Sequence, residues 1–216
     1  MRIAIFGATG MAGSAIVTEA LTRNHTVTAL SRNAENTPIS DRLTTTRIDV
    51  SVPDELDPVL AASNVAVLTI RASPGFEHLV AGWTTGFLDA AERTATRVIV
   101  IGGAASLRSP SDPGRLVADD PTYTPPQWSA IAQASLDQYR VCKNHPYTGW
   151  AYLSPPAQFG PGPRTGRYQR GTTVMLTDAD GNARISAADL AIAVVDEIET
   201  PGDEQHFTVA RTDPRK

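Results

Sequence analysis

The sequence of 216 residues contains a single cysteine, Cys142, so no disulfide can form within the chain. It has no apolar run close to the ~20 residues that a membrane-spanning helix needs. Its 19 Lys and Arg residues stand against 23 Asp and Glu residues, a net charge of −4. Binding to nucleic acid or to a membrane surface requires clustered positive charge, so neither partner is expected.

The first residues form a short apolar run, Met1–Phe6, that ends at Gly7. This run is too short for the core of a signal peptide, and we therefore expect a cytoplasmic protein. The four histidines are scattered along the chain without the spacing of metal ligands, so no metal site is predicted.

Strand-like and helix-like segments alternate along the whole chain. Strands are predicted at Arg2–Phe6, Thr26–Leu30, Thr44–Ile48, Val65–Ile70, Arg97–Ile101, Trp150–Leu153, Thr172–Leu176 and Phe207–Ala210. Helices are predicted at Met11–Arg23, Pro53–Leu60, Phe76–Arg93, Gln127–Lys143 and Ser186–Glu199. The alternation predicts an α/β fold, a Rossmann-type doubly wound parallel sheet with right-handed crossovers.

The length suits one domain over residues 1–216, in which the residues from about 157 onward contribute a small cap on the substrate side. The last helix begins with a predicted capping box. In it the Ser186 side chain accepts from the backbone of the first turn, and the Asp189 carboxylate returns a bond to the backbone of the cap.

The first strand is followed by a loop with the spacing Gly-x-x-Gly-x-x-Gly, at Gly7, Gly10 and Gly13. Gly7 suits a tight turn, Gly10 allows the backbone to approach a pyrophosphate, and Gly13 lets the helix pack closely on the strand. The N-terminus of the next helix offers N–H groups to phosphates. A strand before the loop and a helix after it predict a dinucleotide site, the alternative being a plain tight turn. Its other expected contact residues are Thr9, Met11 and Ala12.

The end of the second strand favours NADP over NAD. NAD sites place Asp or Glu there, whereas NADP sites place an arginine nearby. Here Ser31 is followed by Arg32, with no acidic residue before Glu35. The Arg32 guanidinium could pair with a 2′-phosphate through charge-assisted hydrogen bonds, the alternative being a solvated loop arginine.

These motifs resemble the short-chain dehydrogenase/reductase superfamily, and within it the atypical, NmrA-like NAD(P)H-binding group. The resemblance extends to Asp49-Val50, Gly102-Gly103-Ala104 and Ser154-Pro155-Pro156, which follow the third, fifth and sixth strands. Proteins of this group are often described as NAD-dependent epimerase/dehydratases or NADH-flavin reductases. The resemblance implies that the adenine is flanked by Asp49 and Val50. It implies that Thr69, Ile70 and Arg71 lie along the cofactor, and that the nicotinamide is bordered by Gly102, Gly103 and Pro155.

Typical members of the superfamily use Tyr-x-x-x-Lys on the helix after the fifth strand, and this chain has Tyr139 and Lys143 at that spacing. In the family the pair lies near the start of the helix, whereas here it lies near the end, before Pro146. We therefore expect it to be remote from the cofactor. The early positions hold Trp128 and Ala132, neither of which transfers a proton. The catalytic residues stay unassigned, with Ser106, Trp128 and Tyr139 as candidates.

Flavins and quinones accept a hydride directly, so their reduction needs no acid from the protein. The sequence therefore favours an NADPH-dependent reductase of such a flat small molecule, acting as a monomer or homodimer. The alternatives are an NAD(P)-dependent epimerase or dehydratase, and a non-enzymatic regulatory protein that senses NADP. Candidate stacking surfaces are Trp128, Tyr123 and Tyr168, the alternative for each being a loop or core aromatic. Arg164, Arg167 and Arg170 are a candidate lid over an acidic substrate, the alternative being an ordinary solvated loop.

Overall fold

A computed structural model describes residues 1–35, 37–178 and 180–212. Its helices are α1 (Met11–Thr22), α2 (Leu56–Ala61), α3 (Leu79–Thr94), α4 (Ser129–Asn144) and α5 (Ala187–Glu199). Its strands are β1 (Arg2–Phe6), β2 (Thr26–Ser31), β3 (Thr37–Ser40), β4 (Leu43–Arg47), β5 (Val65–Leu68), β6 (Arg97–Ile101), β7 (Trp150–Ser154), β8 (Gln158–Gly160), β9 (Tyr168–Gly171), β10 (Arg184–Ser186) and β11 (His206–Arg211).

The main sheet of the described residues has nine strands in the order β3-β4-β2-β1-β5-β6-β7-β11-β9. The seven strands from β4 to β11 are parallel to their neighbours, and only the outermost strands, β3 and β9, pair antiparallel. The chain moves outward from β1 to β2 and β4, then returns to β5 on the other side of β1. The strand order therefore reverses between β1 and β5, where a Rossmann sheet opens its ligand crevice. The predicted α/β fold is confirmed.

Both faces of the sheet are covered by helices. Side chains alternate along β1, so that Ile3 and Ile5 join the core beneath α1 and α5, while Ala4 and Phe6 join the core beneath α2, α3 and α4. All four residues of Val65–Leu68 are buried, which explains why the central strands read as unbroken apolar runs. Among the described residues, no helix has the length and apolar character needed to cross a membrane.

The predicted strand at Thr172–Leu176 is wrong. The strand at this edge, β9, lies earlier, at Tyr168–Gly171, and pairs with β11. The apolar residues after β9 pack elsewhere, and Met175 joins Leu107 and Val117 in a separate small cluster. The strand pairing described for this segment is an isolated β-bridge to Arg108. The short strand β3 was not predicted.

The predicted capping box at the start of α5 is half confirmed. The Ser186 hydroxyl accepts from the Asp189 backbone N–H at 3.0 Å. The buried Asp189 carboxylate does not return to the cap. It accepts instead from the backbone N–H and hydroxyl of Thr165, at 2.8 and 2.7 Å, and from the N–H of Gly166 at 3.0 Å. This acid therefore anchors the loop before β9.

Candidate functional site

A cleft of about 630 Å³ opens at the carboxyl ends of the central parallel strands. Every residue that the sequence predicts to contact the cofactor lines this cleft, except Gly13. The lining members are Gly7, Thr9, Gly10, Met11, Ala12, Arg32, Asp49, Val50, Thr69, Ile70, Arg71, Gly102, Gly103 and Pro155. The fold thus gathers loops that are far apart in the sequence into one elongated site at the reversal of strand order.

The glycine loop lies under the middle of the cleft. The Gly7 N–H donates to the Leu30 carbonyl oxygen at 2.9 Å, and the residue has a φ of +87°, which favours glycine. A Cβ at Gly7 would collide with the Thr69 carbonyl, and one at Gly13 would collide with the Gly7 carbonyl. Helix α1 starts after Gly10, and no side chain caps its N-terminus. The first N–H groups of the helix therefore remain available to an anion in the cleft.

One end of the cleft is built by the ends of β2 and β4. The hydroxyl of Ser31 is buried there and has no hydrogen-bond partner among the described residues. Arg32 follows it and lines the cleft mouth. Asp49 accepts from the N–H and hydroxyl of Ser51, and these bonds, with the nearby Arg32 charge, hold the pKa of the Asp49 carboxyl below its usual value.

A side cavity of about 430 Å³ adjoins this end and shares three residues with the cleft. It brings a second arginine, Arg47, close to Arg32. Its lining residues are Arg32, Thr46, Arg47, Ile48, Asp49, Glu55 and Val59. Two arginine residues therefore line the same cavity at the edge of the sheet.

The opposite end is built around the tyrosine of β7. A Cβ at Gly102 would collide with the hydroxyl of Tyr152, so glycine is required there. That hydroxyl donates to the carbonyl of Ser135 at 3.1 Å and lies 3.3 Å from Oε1 of Gln138. Burial raises the pKa of Tyr152, which keeps the phenol neutral. The Gly103 N–H donates to the Ser135 hydroxyl oxygen at 2.8 Å.

One face of α4 lines this end, and sequence reasoning did not single it out. Its residues follow helical spacing: Ile131, Ala134, Ser135 and Gln138. Across from them lie three further apolar residues that were not predicted, namely Val80, Trp83 and Phe159. The sequence shows the helical periodicity of α4, but it does not show how the helix is rotated against the sheet.

A model of NAD(P)H-binding proteins matches residues 7–201, which span the glycine loop, the cleft and α5. The chain belongs to this NAD(P)H-binding family. Over 97% of the chain and 98% of the relative, it is 34% identical to the uncharacterised protein YwnB of Bacillus subtilis. The predicted membership of an NAD(P)H-binding group is confirmed.

Two solved structures share the whole fold with this NAD(P)H-binding protein. One, provisionally named an NADH-flavin reductase, comes from Streptococcus pneumoniae; it is 27% identical with a TM-score of 0.87, over 98% of this chain and 99% of that one. The other, provisionally named an epimerase, comes from Bacteroides thetaiotaomicron; it is 30% identical with a TM-score of 0.87, over 100% and 99%. The relatives thus support an oxidoreductase-type nicotinamide site without naming its substrate.

The catalytic candidates of the sequence lie outside the described lining of this NAD(P)H site. Trp128 is half-exposed just before α4. The Tyr139 ring packs 5.1 Å from that of Tyr152 and 4.3 Å from that of His206, and burial raises its pKa. Ser106 is buried, with its hydroxyl 3.0 Å from that of Ser154.

The predicted arginine lid is wrong for two of its three members. Arg164 pairs with the buried Glu19 of α1 at 2.8 Å. Arg170 pairs with the buried Glu197 of α5 at 2.6 Å and stacks on the Phe207 ring at 3.8 Å. Their partners lie on α1, α5 and β11, so these arginines fasten the loop and β9 to the core. Arg167 is exposed.

Two predicted stacking surfaces are also wrong. The Tyr168 hydroxyl bonds to Asp196 of α5, and Tyr123 packs against the small cluster that contains Met175. The aromatic side chains that line the cleft are instead Trp83 and Phe159. Among the described residues, no group of three His, Cys, Asp or Glu side chains is arranged to hold a metal ion.

Proposed function

We propose that this protein is an NADPH-dependent reductase of a flat redox acceptor, a flavin or a quinone. The observation that carries the proposal is the chemistry of the cleft end beside Gly102 and Gly103. Its lining includes the apolar residues Trp83, Ile131 and Phe159, and the described lining contains no histidine, tyrosine or lysine. Such a surface suits a planar acceptor that delocalises incoming charge and takes its proton from water.

The residues present fit a dinucleotide. The open N-terminus of α1 suits a pyrophosphate, and the glycines leave room for its close approach. The Ser31 hydroxyl is buried at the end of β2 without a hydrogen-bond partner in the part of the chain that the structure describes, and it would bond the adenosine ribose or its 2′ substituent. A bound reduced nicotinamide would supply a hydride, and the residues at the ends of β5, β6 and β7 would hold it in the cleft.

The preference for NADPH rests on the adenosine end. Ser31 and Arg32 stand where an NAD site would place a carboxylate, and Arg47 borders the same space. A 2′-phosphate there would gain charge-assisted hydrogen bonds. The proposed reaction would take place in the cytoplasm.

Calorimetric titration with NADPH and with NADH tests the cofactor assignment. Arg32→Ala should weaken NADPH binding about tenfold to a hundredfold, the loss of one hydrogen bond to a charged group, and change NADH binding little. Arg140→Ala is the matched control, because this exposed arginine lies on α4 and pairs with Asp137. Equal losses for both cofactors would remove the NADP preference. If neither cofactor binds the wild type, the glycine loop is only a structural turn.

Steady-state oxidation of NADPH with FMN, FAD or a quinone tests the reaction. Acceptor-dependent turnover supports the reductase. An epimerase or dehydratase needs a base beside the nicotinamide and would retain its cofactor through dialysis. Tight NADPH binding without turnover on any of these acceptors would contradict the reductase and favour a regulatory protein that senses NADP.

A further inference from the structure

Exposed large apolar side chains are concentrated at one edge of the molecule. Of the eight that are exposed among the described residues, four lie where a helix begins. Met11 is the first residue of α1, Phe76 and Leu79 lie in the turn that opens α3, and Trp128 directly precedes α4. Helices that cover a parallel sheet begin near the carboxyl ends of its strands, where the cleft opens. These side chains therefore lie around the mouth of the cleft.

Trp128 extends a stripe of α4 that already lines the cleft. It lies three positions before Ile131 and seven before Ser135, a spacing that places all three on one face of the helix. Ile131 is partly buried in the cleft, whereas Trp128 is 51% exposed. The apolar wall on this helix thus continues outward beyond the cleft.

The first turns of α3 show the same continuation. The Leu79 N–H donates to the Phe76 carbonyl oxygen at 3.0 Å, so the turn that carries Phe76 leads directly into the helix. Phe76, Leu79 and Trp83 share one helix face, and Trp83 lines the cleft while Phe76 is 56% exposed. The Gln138 amide of α4 donates to the Thr84 hydroxyl of α3 at 3.2 Å, which joins the two helices beside the cleft. The two stripes therefore border the same opening.

Phe76, Leu79 and Trp128 together are named here the apolar rim. A single exposed apolar residue needs no explanation, but an apolar surface that continues a ligand cleft is typical of a binding region. We propose that the apolar rim binds a hydrocarbon chain attached to the ring of the acceptor. The inference rests on the proposed reductase function and narrows the substrate class to quinones with an apolar tail. A free flavin instead carries a polar ribityl chain and phosphate, which would leave the apolar rim exposed to water.

The energetics of such a tail determine which kinetic constant should change. Contact with the apolar rim removes apolar surface from water on both partners, and each fully buried methylene strengthens binding by about fourfold. Because the rim is open to solvent on one side, we expect about half of that free energy, or about twofold per methylene. The tail makes the same contacts before and during hydride transfer, so it should lower KM and leave kcat almost unchanged.

Steady-state NADPH oxidation with naphthoquinones that carry a methyl, butyl, hexyl or decyl chain tests the proposal. For the wild type, kcat/KM should rise by about twofold per methylene up to the hexyl compound. In Phe76→Ser and in Trp128→Ser, kcat/KM should fall about tenfold more for the decyl than for the methyl compound. Ile39→Ser is the matched control, because Ile39 is 59% exposed on β3 at the outer edge of the sheet, and it should keep the wild-type dependence on chain length. If kcat/KM for the wild type does not depend on chain length while the methyl compound is turned over, the apolar rim does not bind a tail and the reductase function stands.

A second measurement does not depend on turnover. In calorimetric titration of the wild type with NADP+ present, dimethoxybenzene with a decyl chain should bind at least about tenfold more tightly than the methyl compound. Trp128→Ser should lose most of this difference. If the difference is found but no quinone is reduced, the apolar rim binds a tail and the reductase function fails. If sedimentation instead shows a dimer that Phe76→Ser dissociates, the apolar rim is a contact between two copies of the chain and the proposal is refuted.

Discussion

The folding stability of the protein should depend on a neutral His206. This residue begins β11, and its side chain is buried between the rings of Tyr139 and Tyr152. Its Nε2 lies 2.9 Å from the hydroxyl of Ser154, while Nδ1 has no hydrogen-bond partner among the described residues. Burial lowers the pKa of His206 from 6.5 to about 4, because the charged form cannot be solvated there.

The sign of the pH effect follows from where each state takes up its proton. The unfolded chain binds the proton near pH 6.5, and the folded protein binds it only near pH 4. Between these values the unfolded state holds more protons, so acid favours unfolding. The stability that depends on the neutral His206 is fully present above about pH 6.5, and it is lost as the pH falls from 6.5 towards 4. A shift of about 2.5 units corresponds to about 3 kcal/mol.

Denaturant unfolding of wild type and His206→Gln at several pH values measures this contribution. Glutamine reaches the Ser154 hydroxyl with an amide that does not titrate. The variant should be less stable near pH 7, and the difference should shrink by about 3 kcal/mol as the pH falls to about 4. The titration of the carboxylates contributes equally in both proteins, so it cancels in the difference between their free energies of unfolding. A difference that stays constant within about 0.5 kcal/mol would refute the reasoning.

Three further predictions concern single side chains. Gly102→Ala should cost about 3 kcal/mol, measured by thermal and denaturant unfolding, because the new Cβ meets the Tyr152 hydroxyl, whereas Gly160→Ala, with open space around it, should cost little. Glu197→Gln should cost about 3 kcal/mol in the same assays, because two arginines lose a buried carboxylate; an unchanged midpoint would contradict this. Tyr139→Phe should leave kcat unchanged within about twofold, and a hundredfold loss would assign its hydroxyl to catalysis.

The residues that line the glycine-loop half of the cleft could be predicted because their determinants are local. Gly7, Gly10 and Gly13 act within one strand–loop–helix unit, and their spacing alone states which backbone groups must come close. The strand ends that carry Asp49 and Thr69 follow from the same rule, since parallel strands present their carboxyl ends at one edge.

The substrate half could not be predicted, because it depends on how α4 is rotated against the sheet. Some 27 residues separate the end of β6 from the start of α4, and their path is set by tertiary contacts. The hydrogen bond from the Gly103 N–H to the Ser135 hydroxyl oxygen depends on that rotation. The prediction for the arginine loop was wrong for a related reason. In the sequence Arg164 and Arg170 look like exposed charges, yet each side chain pairs with a buried acid more than 25 positions away.

The two halves together explain why the family's usual acid–base pair can be absent. Tyr152 of β7 lies beneath Gly102, where its hydroxyl donates to the Ser135 carbonyl oxygen at 3.1 Å and lies 3.3 Å from Oε1 of Gln138. This buried network keeps a neutral phenol under the floor of the cleft. A carbonyl that demands a proton would be reduced slowly on such a floor. Under the proposed function, an acceptor that spreads its charge over a planar ring needs orientation and takes no proton from the protein.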